Sequence, residues 1–175
     1  RIIYGADKEV LIQDKDGFIW LASHNGVDRF DGYDFISYQN DPNNPSSLPY
    51  NRTSSFCIDT KQNLWIGTAG MGLAKYIPER DAFESFTFIK ENGEFLKHEN
   101  DITSFVDLKN GNFLIATRGG QVNLFNTNTY QFSDLPIHTP GDSLSGSYTV
   151  VRNLFMSNIN EVWIDTSVGL LFYDI

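Results

Sequence analysis

One motif occurs four times in this chain. An apolar, strand-like run centred on Trp20, Trp65, Leu114 or Trp163 follows a turn rich in Asp, Asn, Gly and Lys. The anchors are 45, 49 and 49 residues apart. A supersecondary unit of that length cannot bury its own apolar surface, so neighbouring units must stack. Four-stranded propeller blades have periods of about 40 to 50 residues, and the spacing fits them.

Each unit resolves into short strands. The first ends near Ile12, Ile58, Asp107 or Met156. Turn residues such as Asp14-Lys15-Asp16-Gly17 and Lys109-Asn110-Gly111-Asn112 then supply hairpin chemistry. The anchor strand, as in Phe18-Ile19-Trp20-Leu21-Ala22, is apolar on both alternating faces and should be covered on both sides. A glycine-containing turn and a third strand ending in Phe30, Tyr76, Phe125 or Tyr173 follow. A more polar fourth strand, such as Ala82-Phe83-Glu84-Ser85-Phe86, suits an outer edge. No segment shows a capped helical period. The expected fold is therefore all-β, a β-propeller fragment of about four blades. They are predicted near 5–39, 52–88, 101–133 and 148–175, the last ending after its third strand.

The 175 residues suffice for a substantial core. A formal net charge of −9 argues against nucleic acid and against anionic membrane surfaces. Cys57 is the one cysteine, so no internal disulfide is possible. It lies in the apolar run Phe56-Cys57-Ile58 and reads as a small core residue. No apolar run approaches the roughly 20 residues a membrane span needs, and no secretory leader is evident. The chain opens at Arg1 and stops inside the fourth unit, so it is expected to be part of a longer protein.

The segments Gln13-Asp14-Lys15-Asp16-Gly17-Phe18-Ile19-Trp20 and Asn63-Leu64-Trp65-Ile66-Gly67-Thr68-Ala69-Gly70-Met71-Gly72-Leu73 resemble the two-component regulator propeller repeat. The stretch from Asp31-Gly32-Tyr33 to Ser46-Ser47-Leu48 resembles the N-terminal sensor region of hybrid two-component histidine kinases. Leu114 and Asp165 stand where that pattern has Trp and Gly, so the last two blades are expected to deviate locally. The resemblance implies a non-catalytic periplasmic sensor region of an inner-membrane protein. It implies an oligosaccharide ligand and signalling to a cytoplasmic kinase, whose own motifs are absent from this chain. Implied partners are the remaining blades and downstream domains of that protein. An open arc of blades is also expected to self-associate.

Candidate chemistry is sparse. His24, His98 and His138 have no metal-ligand spacing, and Asp14-Lys15-Asp16-Gly17 lacks the downstream Glu of a calcium loop. No metal, cofactor or catalytic residue is assigned. The three Trp and Leu114 are read as blade anchors rather than sugar platforms. The long connections 39–52, 90–100 and 134–147 share one face with the turns after the anchor strands. Loops on a rigid scaffold commonly carry recognition, so His24, Asn25, Tyr50, Arg52 and Arg118 are the candidate ligand-binding residues. A scaffold for protein contacts or receptor dimerisation is the alternative, and a glycan-active enzyme a third.

Overall fold

The computed structural model describes residues 10–135, 150–157, 161–167 and 169–174. They form four antiparallel sheets, each a simple meander. The first comprises β1 (Val10–Gln13), β2 (Ile19–Ser23), β3 (Gly26–Phe30) and β4 (Phe35–Tyr38). The second holds β5 (Thr53–Ile58), β6 (Leu64–Thr68), β7 (Leu73–Ile77) and β8 (Ala82–Phe86). The third holds β9 (Ile102–Asp107), β10 (Asn112–Thr117), β11 (Val122–Asn126) and β12 (Gln131–Asp134). The fourth has three strands, β13 (Val151–Met156), β14 (Glu161–Thr166) and β15 (Gly169–Asp174). Successive sheets converge at their first strands, β1 on β5, β5 on β9 and β9 on β13. This is the propeller arrangement, and the all-β expectation holds.

Three hydrophobic clusters lie between the four sheets. Trp20 and Ala22 of the first sheet face Leu64, Ile66 and Phe56 of the second. Trp65 and Leu73 of the second face Ile102, Phe113 and Ile115 of the third. Leu114 and Ala116 of the third face Val162, Ile164 and Leu154 of the fourth. Each anchor strand thus sends alternate residues to opposite neighbours, which explains its doubly apolar sequence. β6 is buried along its whole length. Trp65 meets Phe113 edge-on at 5.3 Å and Phe125 at 5.5 Å. Trp20 meets Tyr76 at 4.7 Å.

The two end sheets differ. β2 and β14 are buried only at alternate residues, because one face of each has no neighbour among the described residues. Trp163 is consequently only half-buried, unlike Trp20, Trp65 and Leu114. Around it Phe155, Leu170 and Phe172 are 65%, 63% and 65% exposed. On the opposite end Leu11 is 68% exposed.

The anchor tryptophans carry a polar requirement as well. Trp65 Nε1–H donates to Asp59 Oδ2 at 2.9 Å, and Trp20 Nε1–H donates to Asp14 Oδ2 at 2.7 Å. The other oxygen of each carboxylate accepts the backbone N–H groups that close the hairpin. Asp59 Oδ1 takes Lys61 and Asn63, and Asp14 Oδ1 takes Asp16 and Phe18. Leu108 stands at this position in the third unit, where the anchor is Leu114, and both are buried in the same cluster. The apolar anchor and the loss of the carboxylate go together, because a buried carboxylate without donors is costly. Asp14 therefore serves as a turn and anchor residue.

Sheet-to-sheet contact also sets side-chain size. A Cβ on Gly67 would lie 2.9 Å from Ile102 Cγ2 on β9. Ala22 and Ala116 occupy the matching positions, while Asp165 does so on the face of the fourth sheet that has no neighbour among the described residues.

Candidate functional site

The first strands of consecutive blades begin side by side, and their lead-in residues hydrogen-bond to the ends of the anchor strands. Ala69 N–H donates to Arg52 O, Arg118 N–H to Asp101 O, and Ser167 N–H to Val150 O, at 2.8–2.9 Å. These equivalent positions, with the strand residues beside them, enclose an open cleft of about 290 Å³. Arg52 and Ser54 come from the second blade, Asp101, Thr103 and Arg118 from the third, and Val150 and Arg152 from the fourth.

The donors of this cleft differ in availability. Ser54 Oγ–H donates across the blade boundary to Ile102 O at 2.6 Å. Thr103 Oγ1–H does the same to Val151 O at 3.1 Å. Both hydroxyls are thus committed to holding neighbouring blades together. Arg118 Nε–H donates to Asp101 Oδ2 at 2.9 Å. Arg152 lies 3.8 Å from Asp165 Oδ1 and reaches Thr166 O at 3.5 Å. Arg52 has no carboxylate within ion-pair distance among the described residues. Asp101 is the one carboxylate among the described residues that line the cleft.

Of the residues singled out from the sequence, the structure brings Arg52 and Arg118 together here. Tyr50 lies two residues before Arg52, but its hydroxyl accepts from Lys97 Nζ at 3.1 Å, with that ammonium 5.0 Å over its ring. His24 and Asn25 sit exposed on the β2–β3 turn and do not line the cleft. The turn is closed by Asn25 N–H donating to Ser23 Oγ. Arg152 and Asp101 were missed because each reads as an ordinary strand or turn residue in its own repeat.

The long connections are more tightly held than free recognition loops. Leu48 is fully buried between the first two blades, and Asn40 Nδ2 donates to its carbonyl at 2.9 Å. Asn100, also fully buried, accepts from Phe88 N and donates to Phe88 O and Leu96 O. The third connection, 134–147, falls almost wholly outside the described residues, as does His138.

Other polar clusters have structural roles. Arg29 lies 4.8 Å from the centre of the Phe18 ring and donates to Tyr76 Oη at 2.6 Å. Tyr76 and Tyr38 both donate to Asp81 Oδ1, at 2.6 and 2.7 Å. Burial opposes ionisation of Asp81, but these two hydrogen bonds and Arg29 outweigh it and hold the carboxyl below its usual range. The network ties β3 and β4 of the first blade to β7 and the segment before β8 of the second. Burial, reinforced by the Asp107 charge, pushes the Cys57 thiol up to about 12, so it is a poor nucleophile. No helix among the described residues is long and apolar enough to cross a membrane.

Comparison with known proteins agrees with this architecture. Residues 47–70, which run from the buried Leu48 through the second anchor, match the family model of the two component regulator propeller. The resemblance seen in the sequence is thereby supported. Among solved structures, the chain is similar to the extracellular domain of BT3049 from B. thetaiotaomicron, described as a hybrid two component system. The TM-score is 0.75 at 22% identity, covering 97% of this chain and 24% of that one. A second similar structure is the extracellular domain of BT4673 from B. thetaiotaomicron, described as a one component system. Here the TM-score is 0.70 at 23% identity, covering 91% of this chain and 22% of that one. The computationally designed Ika4 protein matches over 98% of this chain and 93% of its own, with a TM-score of 0.64 at 11% identity. The chain thus spans about a quarter of the length of the two bacterial domains. No curated protein matches it.

Proposed function

We propose that this chain is part of the extracytoplasmic sensor region of a membrane-bound hybrid two-component regulator. In this reading it lies in the periplasm, recognises an oligosaccharide and signals to a cytoplasmic histidine kinase. The observation that carries the reading is the likeness, over 97% of the chain, to an extracellular domain of such a system. The two end faces, each without a neighbour among the described residues, support a place within a longer propeller. Ile19 and Leu21 stand on one end as Leu64 and Ile66 stand at an internal boundary, so each end presents a face of the kind that blades pack together.

The mechanism is differential binding. A ligand seated across the lead-ins of three blades favours one arrangement of those blades and of the domains joined to them. That bias is the signal. Hydrolysis of a glycosidic bond ordinarily needs two carboxyl groups flanking the bond. Among the described residues the cleft is lined by one carboxylate, Asp101, which Arg118 engages.

Titration calorimetry of the chain against a panel of plant and host oligosaccharides, with product analysis, tests the reading. The expected result is saturable binding of one glycan class with no shorter sugar released. Turnover of the bound glycan, or no response across the panel, would overturn it.

A further inference from the structure

We propose that the cleft at the head of β5, β9 and β13 recognises an anionic group, a carboxylate or sulfate, carried by an acidic saccharide. The inference rests on the sensor reading and specifies its ligand. The repeats provide an internal control for what the fold itself demands. At the lead-in position, Arg52 is matched by Asp101 and Val150. After the anchor strand, Arg118 is matched by Ala69 and Ser167. In the first strand, Arg152 is matched by Ser54 and Thr103. The blade forms with small, apolar or acidic residues at these positions, so its construction requires none of the three arginines.

Their placement is nonetheless concentrated. The chain has six arginines and a net charge of −9, yet three of the six line this one cleft. Among the described residues one carboxylate lines the cleft, held by Arg118, and Asp165 beside it lies 3.8 Å from Arg152. The Ser54 and Thr103 hydroxyls are spent on backbone carbonyls of the next blade. The donors left for a ligand are therefore guanidinium N–H groups, above all those of Arg52. Guanidinium is planar and forks onto two oxygens of a carboxylate or sulfate, in charge-assisted hydrogen bonds stronger than neutral ones. A single exposed arginine holds an anion weakly. Three converging on one cleft, drawn from three blades, make the contact dependent on blade arrangement, as a sensor requires.

Calorimetry of the full chain with trigalacturonate, a sulfated galactose trimer and the neutral galactose trimer tests the proposal. At least one acidic trimer is expected to bind about tenfold or more tighter than the neutral one, and the two acidic arms identify the anion. Arg52→Gln is expected to weaken that binding about fivefold or more, with the unfolding midpoint unchanged. Asp101→Asn releases Arg118 from its carboxylate and is expected to tighten binding. A structural role for Asp101 would not produce that gain. Equal binding of the neutral trimer overturns the inference and leaves the sensor reading standing. Failure of both acidic trimers to bind, or weaker binding in Asp101→Asn, also overturns it. The sensor reading itself falls only on the broader glycan panel.

Discussion

Asp59→Ala is expected to lower the stability of the chain by about 2–4 kcal/mol, read as a fall in the urea midpoint at unchanged slope. Four hydrogen bonds converge on this carboxylate, from Lys61 N, Asn63 N, Asn63 Nδ2 and Trp65 Nε1. Trp65 is fully buried, so its indole N–H would be left without water or another acceptor. Orphaning a buried donor costs more than a hydrogen bond contributes on average, because the group's desolvation is no longer compensated. Asp59→Asn keeps an acceptor oxygen and is expected to cost less. The third blade suggests a sharper test, since it has leucine at both positions. The double variant Asp59→Leu with Trp65→Leu should lose less stability than the two single variants added together. Simple additivity would show that the pair is not coupled.

Gly67→Val is the second large effect, a loss of about 3 kcal/mol by the same measurement. The Cβ alone would collide with Ser55 Oγ of its own sheet and meet Ile102 Cγ2 of the next at 2.9 Å, inside normal contact distance. Ile102 is fully buried on β9, where the cluster between the second and third sheets leaves it little room to retreat. Two further methyl groups must then separate the second and third blades. Interiors packed at crystal-like density resist this, and the hydroxyl bridge from Ser54 to Ile102 O would stretch with it. Asp165→Val at the matching position of the fourth blade is expected to be close to neutral. Its side chain is about half exposed, on a face with no neighbour among the described residues.

The contrast between those two positions shows what the sequence could and could not reveal. The blade pattern was legible because strand pairing and sheet stacking repeat the same demand every 45 to 49 residues. The doubly apolar anchor strands follow from burial between two neighbours, and β6 meets that demand along its length. The burial of Trp163 was expected on the same ground and is only partial, because burial depends on the neighbouring blade as well as on the strand. The Asp–Trp pair was present at a fixed offset in the first two units. Turn composition does not reveal that pairing, because the one Asp14 carboxylate serves both the turn and the indole.

The cleft was legible only in part. Arg52 and Arg118 stood out as polar residues at loop ends, and both line it. Arg152 and Asp101 did not, since their significance lies in the axis that brings equivalent positions of three repeats together. Aligning the repeats and asking which positions carry a charge the others lack would have found both. Tyr50, His24 and Asn25, the other residues expected to bind ligand, lie apart from the cleft lining. Tyr50 is bound to Lys97, and the other two lie on a hairpin outside the cleft.

The proposed ligand contact lies at the residues that head the inner strands of this arc of blades. Hydrogen exchange of the chain, with and without the best-binding saccharide from the panel, tests this most directly. Protection is expected at 52–54, 101–103, 118–119 and 150–152, with the outer strands β4, β8 and β12 unchanged. Protection confined to the outer strands, or to the β2–β3 turn around His24, would contradict the account.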